Sequence, residues 1–258
     1  MRIQRFNKYI KEQNWFAVLI ELFVVFLAVF IGLQADTWNE QRIAKSTAKT
    51  YYVRLIEDLR AEESTRLARI AYYEIALSHG NAALNALQNN ENDLGEQFLI
   101  DLYQATQIWN YTPQRATYDE LLSIGIANAI PDQEIRYLLA NYYLALENSK
   151  LIQQERAPFR INLRHKMPHQ AQAAIRKNCG DKFSYQENGV VSVSLPQSCV
   201  LNIDSTVVTE AVNQLRLYND LMPELTYQLS GLENKLFNLH NYLSPTRDII
   251  TQLSESVN

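Results

Sequence analysis

Nineteen residues from Trp15 to Leu33 are apolar except for one carboxylate, Glu21, and this run constrains the chain more than any other feature. At 1.5 Å of rise per residue it makes roughly 28 Å of helix, close to the ~30 Å hydrocarbon core of a bilayer. It is longer than the ~7–15 apolar residues of a cleavable signal sequence. The segment that follows, Leu33-Gln34-Ala35, places a bulky residue where cleavage needs a small one. The expectation is an uncleaved signal anchor. Arg2, Arg5, Lys8 and Lys11 precede the run, whereas the first charges beyond it are Asp36 and Glu40, with Arg42 and Lys45 further out. An excess of Lys and Arg holds its own side in the cytoplasm. In a bacterium this predicts a single-pass inner-membrane protein with its long C-terminal part in the periplasm. Trp15 and Trp38 bracket the run and suit the two membrane interfaces as anchors. The lipid bilayer is thus the first expected partner.

Glu21 lies about six residues into the run, roughly 9 Å from its start. A carboxylate at that depth is costly to ionise and by default points to function. Three readings stay open. It snorkels toward the headgroups or stays neutral, it contacts another transmembrane helix, or it binds a proton in an energised complex.

The rest of the chain is long enough for one domain with a substantial core. Seven Gly and seven Pro in 258 residues are few, and helix formers dominate. The expected fold is mainly α, an N-terminal transmembrane helix leading into a periplasmic helical bundle with one small β-hairpin insert. The boundaries read as a cytoplasmic N-terminus over 1–14, the transmembrane helix over 15–35, the periplasmic domain over 36–243 and a polar C-terminal tail, with a short helical possibility, over 244–258. A net charge of −4, with no Lys/Arg cluster beyond the N-terminus, argues against nucleic acid as a partner.

From Trp15 to His79 there is no proline and the only glycine is Gly32, so one helix can run on from the membrane. Tyr52, Leu55, Ile56, Leu59, Leu67, Ile70, Tyr73 and Leu77 recur at three- and four-residue steps as one apolar stripe. The stripe lapses at Glu63, which favours bundle packing over a long coiled coil. A polar connection over 88–96 precedes a helix to Trp109. Thr112-Pro113 reads as a helix start ending near Gly125, and Pro131-Asp132 opens a helix toward Glu155. A last long helix starts at the Asp204/Ser205 cap and reaches toward Tyr242, with Pro223 as a kink.

Between Cys179 and Cys199 the period changes to two. Phe183 and Tyr185, then Val191, Val193 and Leu195, alternate with polar residues around Asn188-Gly189. A three-residue loop Glu187-Asn188-Gly189 sets Tyr185 opposite Val191 and Phe183 opposite Val193, giving one buried face. The hairpin insert then spans 179–200 with Cys179 and Cys199 at its open end. In an oxidising compartment the pair is expected to form a disulfide.

Glu21, then the stretch Leu33-Gln34-Ala35-Asp36-Thr37-Trp38-Asn39-Glu40, then Tyr52-Val53-Arg54-Leu55-Ile56-Glu57-Asp58-Leu59 resembles a bacterial family of small single-pass membrane proteins known only as a domain of unknown function. Tyr118-Asp119-Glu120-Leu121-Leu122-Ser123-Ile124-Gly125 and Asn141-Tyr142-Tyr143 extend the resemblance over roughly the first 150 residues. Ile20 stands where a glycine is common before the glutamate. The resemblance implies the single-pass topology and no activity.

Chemistry-bearing patterns are sparse. There is no glycine-rich phosphate loop, no His-Glu-x-x-His, no Gly-x-Ser-x-Gly and no zinc-spaced cysteines. His165 and His169 have metal-ligand spacing, but Pro168 between them spoils the helix, so no metal is assigned. Glu57, Asp58, Glu62 and Glu63, with Arg54, Arg60 and Arg66 nearby, read as a solvated, ion-paired helix face. Tyr51-Tyr52, Tyr72-Tyr73 and Tyr142-Tyr143 read as core, with a tyrosine-lined ligand cleft as the alternative. The expected function is non-enzymatic and cofactor-free: a sensor, scaffold or accessory subunit acting on a membrane-protein partner or a second copy. A periplasmic small-molecule-binding domain is the alternative.

Overall fold

The structure, a computed structural model, describes residues 15–89, 94–185 and 191–257, with side chains from residue 19 in the first helix. The side chain of Trp15, the basic residues 2–11 and the loop 187–189 lie outside the described residues.

One helix, α1 (Trp15–Gln88), runs for 74 residues, about 110 Å. Its absence of proline, with glycine only at Gly32 and Gly80, lets the hydrogen-bond ladder continue unbroken. From Leu19 to Leu33 its large apolar side chains are exposed, and none of the other described residues covers them. This segment is long and apolar enough to cross a membrane. Exposure continues to about residue 47, so a bare stalk of roughly 20 Å separates the apolar run from the first buried residue, Ala48.

The outer half of α1 is the spine of the folded part. Against it pack α2 (Glu96–Gln104), α3 (Ala116–Ile124), the single turn α4 (Ile126–Ala129), α9 (Leu221–Asn241) and α10 (Leu243–Val257). Around these lie α5 (Gln133–Gln154), α6 (Phe159–Lys166), α7 (His169–Cys179) and α8 (Ser205–Arg216). Strands β1 (Lys182–Tyr185) and β2 (Val191–Ser194) form an antiparallel pair. The mainly α expectation holds.

Two apolar cores share the spine. The inner one collects Tyr52, Leu55, Ile56 and Leu59 with Tyr118 and Leu121 of α3, Leu139, Tyr142 and Leu146 of α5, and Ile249 and Leu253 of α10. The outer one collects Ile70, Tyr73 and Ala76 with α2, α6, α7, α8 and α9. Of the expected stripe, Leu67 is exposed instead. Between the cores the buried positions of α1 are Glu62, Arg66 and Arg69. At Gly80 the spine and α9 approach so closely that a Cβ would meet Leu229 Cδ2 at 2.3 Å.

Several boundaries differ from the sequence expectation. Residues 244–258 are not a polar tail: Leu243–Val257 is helix α10, with Thr246, Ile249 and Leu253 buried at helical spacing and Lys49 donating to the Val257 carbonyl at 2.6 Å. The long last helix breaks after Arg216 and restarts at Leu221. Pro223 therefore sits in a first turn, where its missing N–H leaves no bond unmade and causes no kink. The helix expected to reach Trp109 stops at Gln104. Thr112-Pro113 starts no helix, because the cap of α3 comes from the spine: Asp58 Oδ2 accepts from Thr117 N at 2.9 Å. Asp132 and Asp204 cap α5 and α8 as expected.

The hairpin has the expected register, Phe183 opposite Val193 and Tyr185 opposite Val191. Its face is not jointly buried, however: β2 packs on α1 through Val193, whereas Phe183 and Tyr185 of β1 are exposed. Cys179 ends α7 and stands at disulfide distance from Cys199, with Cα atoms 5.6 Å apart. Closing a loop of that separation, 20 residues, stabilises by about 3 kcal/mol on the chain-entropy model. Replacing both cysteines by Ala is expected to lower the unfolding free energy by that order. Urea titration of the helical circular dichroism checks this, and an unchanged midpoint would contradict the bridge.

Candidate functional site

The polar layer between the two cores is built on one face of α1, where positions 62, 66 and 69 follow one another at helical spacing. Glu62 Oε1 accepts from Arg66 at 2.7 Å and from the Tyr111 hydroxyl at 2.7 Å, while Oε2 accepts from Gln114 N at 3.1 Å. Glu62 and Arg66 are both 1% exposed, so the expected solvated acidic face is corrected here. The segment 105–115 and α10 cover it. Asp58 caps α3, and Glu63 pairs with Arg247 of α10 at 2.5 Å. Arg66 also lies over the Tyr242 ring.

Arg69 is equally buried and has no ion-pair partner among the described residues. It donates to the Asn110 carbonyl and lies over the rings of Trp109 and Tyr111 at 5.0 and 4.7 Å. Its Nε and Nη1 have no acceptor among the described residues. Burial pulls its pKa down, opposed by Tyr73, Tyr111 and Glu62. Burial pushes the Tyr111 and Tyr142 hydroxyls up, Tyr142 to about 12. With each Glu62 oxygen already facing a donor, this layer is a structural ion pair and not an acid–base site.

A second cationic group lies on the other side of the 105–110 segment. Arg160 donates to the Thr106 carbonyl at 2.5 Å, and Arg164 donates to Thr106 Oγ1 and Gln107 Oε1. Arg156 donates to Asn110 Oδ1 at 2.7 Å. Lys235 of α9 donates to the carbonyls of Ile152, Gln153 and Glu155 at 2.7–2.9 Å, closing the C-terminal end of α5. None of these four cations forms an ion pair among the described residues; all their acceptors are neutral. Burial lowers Arg160 to about 10, and the neighbouring Arg164 and Arg156 charges add to it. Burial likewise lowers Lys235 to about 8, against the attraction of Glu155. Between the loop, α6 and α9, three of them, Arg156, Arg160 and Lys235, line a cavity of about 200 Å³. A wider open groove of about 820 Å³ contains Asp58, Arg60, Thr65, Arg69 and Trp109, with both signs of charge on its wall.

The residues singled out in the sequence are dispersed. Glu21 lies on the bare segment of α1 and has no hydrogen-bond or ion-pair partner among the described residues. Trp38 is 67% exposed on the stalk, with the Arg42 guanidinium 5.9 Å from its ring centre. Tyr52, Tyr72, Tyr73, Tyr142 and Tyr143 are buried core residues, and Tyr51 reaches Glu120 at the surface. His165 and His169 fall on different helices, α6 and α7. A buried His79–Asp101 pair, 2.6 Å, went unnoticed in the sequence because its members are far apart in it. Gln97 also donates to that Asp101 oxygen. Ser78 lines a shallow groove with His79, and no hydroxyl or thiol among the described residues hydrogen-bonds to the His79 ring. Of the basic residues of the cavity, Arg156 and Arg160 have a visible four-residue spacing, but their meeting with Lys235 of α9 has no local signal in the sequence. Comparison with protein-family models, curated proteins and solved structures finds no match to this chain.

Two outcomes follow from this geometry. Glu62→Ala leaves Arg66 buried without its carboxylate and is expected to destabilise by about 3–5 kcal/mol. The double change Glu62→Leu/Arg66→Met is expected to recover most of that, with denaturant titration as the measurement. For Lys235, the lowered value in the folded state means that the unfolded chain binds more protons between about pH 8 and the ordinary lysine value of 10.5. Stability therefore rises with pH from 8 to about 10. The slope should flatten in Lys235→Met, compared by denaturation midpoints at pH 7.5 and 9.5.

Proposed function

We propose that this chain is a membrane-anchored protein of the bacterial inner membrane. Its helical domain faces the periplasm and acts non-enzymatically, through protein contacts, as a sensor, scaffold or accessory subunit. The observation that carries this is the continuity of α1. The helix that offers a bare apolar segment is the same helix that forms the spine of both cores. A flexible linker would let the domain sample many heights and orientations above a membrane. An unbroken helix with a roughly 20 Å stalk holds it at one distance and fixes its rotation relative to the span. That property matters for docking on another membrane protein and is immaterial to an enzyme working on diffusing substrates.

Glu21 supports the same conclusion. An intramembrane carboxylate without a partner among the described residues is best stabilised by a polar group on another transmembrane helix. The motifs quoted above resemble a family of single-pass membrane proteins, which agrees with the topology.

Wild type and Glu21→Ala, cross-linked in membranes and purified in mild detergent, provide the test. The expected result is a stoichiometric partner, another membrane protein or a second copy, recovered with wild type and depleted about tenfold or more in the mutant. Monomer without partner in both samples would overturn the proposal.

A further inference from the structure

We propose that the cavity between the 106–110 segment, α6 and α9 binds a small organic anion carrying a single carboxylate. The site is independent of the membrane contact at Glu21. Its wall brings together Arg156, Arg160 and Lys235, with Glu155 as the one acidic side chain. The C-terminal ends of α2 at Gln104 and of α5 at Gln154 also adjoin it, and each helix end is worth about half a negative charge. Behind the wall Asp181 faces Arg160 and Arg164 and balances Arg164, so the three wall cations against Glu155 and two helix ends leave roughly one positive charge uncompensated. The chain as a whole carries −4, so the surplus is local.

The hydrogen bonding agrees. Each of the three cations donates only to carbonyl or amide oxygens, so none has used its charge on a counter-ion within the described residues. Arg156 is exposed at the mouth, and its planar fork suits a carboxylate in bidentate geometry. One surplus charge matches a carboxylate better than a dianionic phosphate, which Glu155 would repel. Ile108, Leu232 and the Tyr227 ring supply apolar wall for the rest of the ligand. A volume of about 200 Å³ lies below the usual range for drug-sized ligands, so the ligand is small. Gly231 lies on this wall with no atom within 4 Å of where its Cβ would be, which keeps the cavity open on the α9 side.

Isothermal titration of the full-length protein in detergent, at matched ionic strength, tests the site with benzoate, isobutyrate and succinate, and with inorganic phosphate and chloride as comparators. At least one carboxylate is expected to bind with a dissociation constant below about 1 mM, ahead of phosphate and chloride. Arg156→Gln should weaken it at least tenfold. Gly231→Leu should do the same by filling the cavity while leaving the charges in place, and a helix former replacing Gly within α9 keeps the fold. Absence of binding by all three carboxylates, phosphate binding as tight as theirs, or undiminished binding in both variants would overturn the assignment.

Discussion

The ion pair between Glu62 and Arg66 is the contact on which the two cores jointly depend, because it sits where the apolar stripe of the spine is interrupted. A helix of 74 residues could bury one continuous stripe, and here it does not. The stripe becomes charged for two turns and then resumes at Ile70. Those turns are covered by Tyr111, Gln114 and Tyr242, each of which meets Glu62 or Arg66 with a hydroxyl, an amide N–H or a ring face. Such a layer is no more stable than a well-packed apolar one. It does impose register: only one placement of the 105–115 segment satisfies both oxygens of Glu62. Sliding α1 by a turn against its neighbours would leave a buried carboxylate without donors, which apolar contacts alone would not forbid.

What the sequence made legible follows from local physics. The apolar run, the absence of helix breakers up to His79, the aspartate caps at Asp132 and Asp204 and the hairpin register all rest on interactions within a few residues. The errors have one cause, the substitution of a tertiary contact for a local one. Thr112-Pro113 is a sound start signal, yet Asp58, 59 residues away, caps α3 instead. Residues 244–258 are rich in Ser and Thr, so their composition outweighed Ile249, Leu253 and Val257 at helical spacing. Phe183 alternates correctly for a buried strand face, but only β2 reaches α1. Glu62 was read as solvated because nothing near it in sequence announces that Tyr111 and Gln114 fold over it.

The site was harder to read for the same reason. A catalytic or nucleotide motif concentrates its residues along a short stretch, whereas the basic residues here converge from α1, the α5–α6 connection, α6 and α9. Arg156, Arg160 and Arg164 recur at four-residue spacing and could have been noticed. Their meaning depends on how few carboxylates fold toward them, Glu155 and Asp181, and on the absence of an ion pair with either, which can be seen only in three dimensions. Asn110 ties the two polar regions together, taking Arg69 of the spine on its carbonyl and Arg156 of the cavity mouth on its side chain.

A buried cation held only by neutral acceptors is an unfavourable arrangement for folding. Desolvation lowers Arg69, Arg160 and Lys235 alike, and Arg164 repels Arg160 as well. Glutamate at a position facing Arg160, or an apolar side chain in place of Lys235, would relieve the folded state at no expense to the helices. The carbonyls at the ends of α2 and α5 compensate part of the charge, which explains how the fold tolerates the group but not why it stays unneutralised. A carboxylate entering the cavity supplies the compensation that the chain does not. Binding energy is then drawn from interactions already desolvated and positioned in the free protein, the condition under which a small ligand gains most from a single charge. The same electrostatics that weaken the folded domain therefore define the chemistry it can recognise.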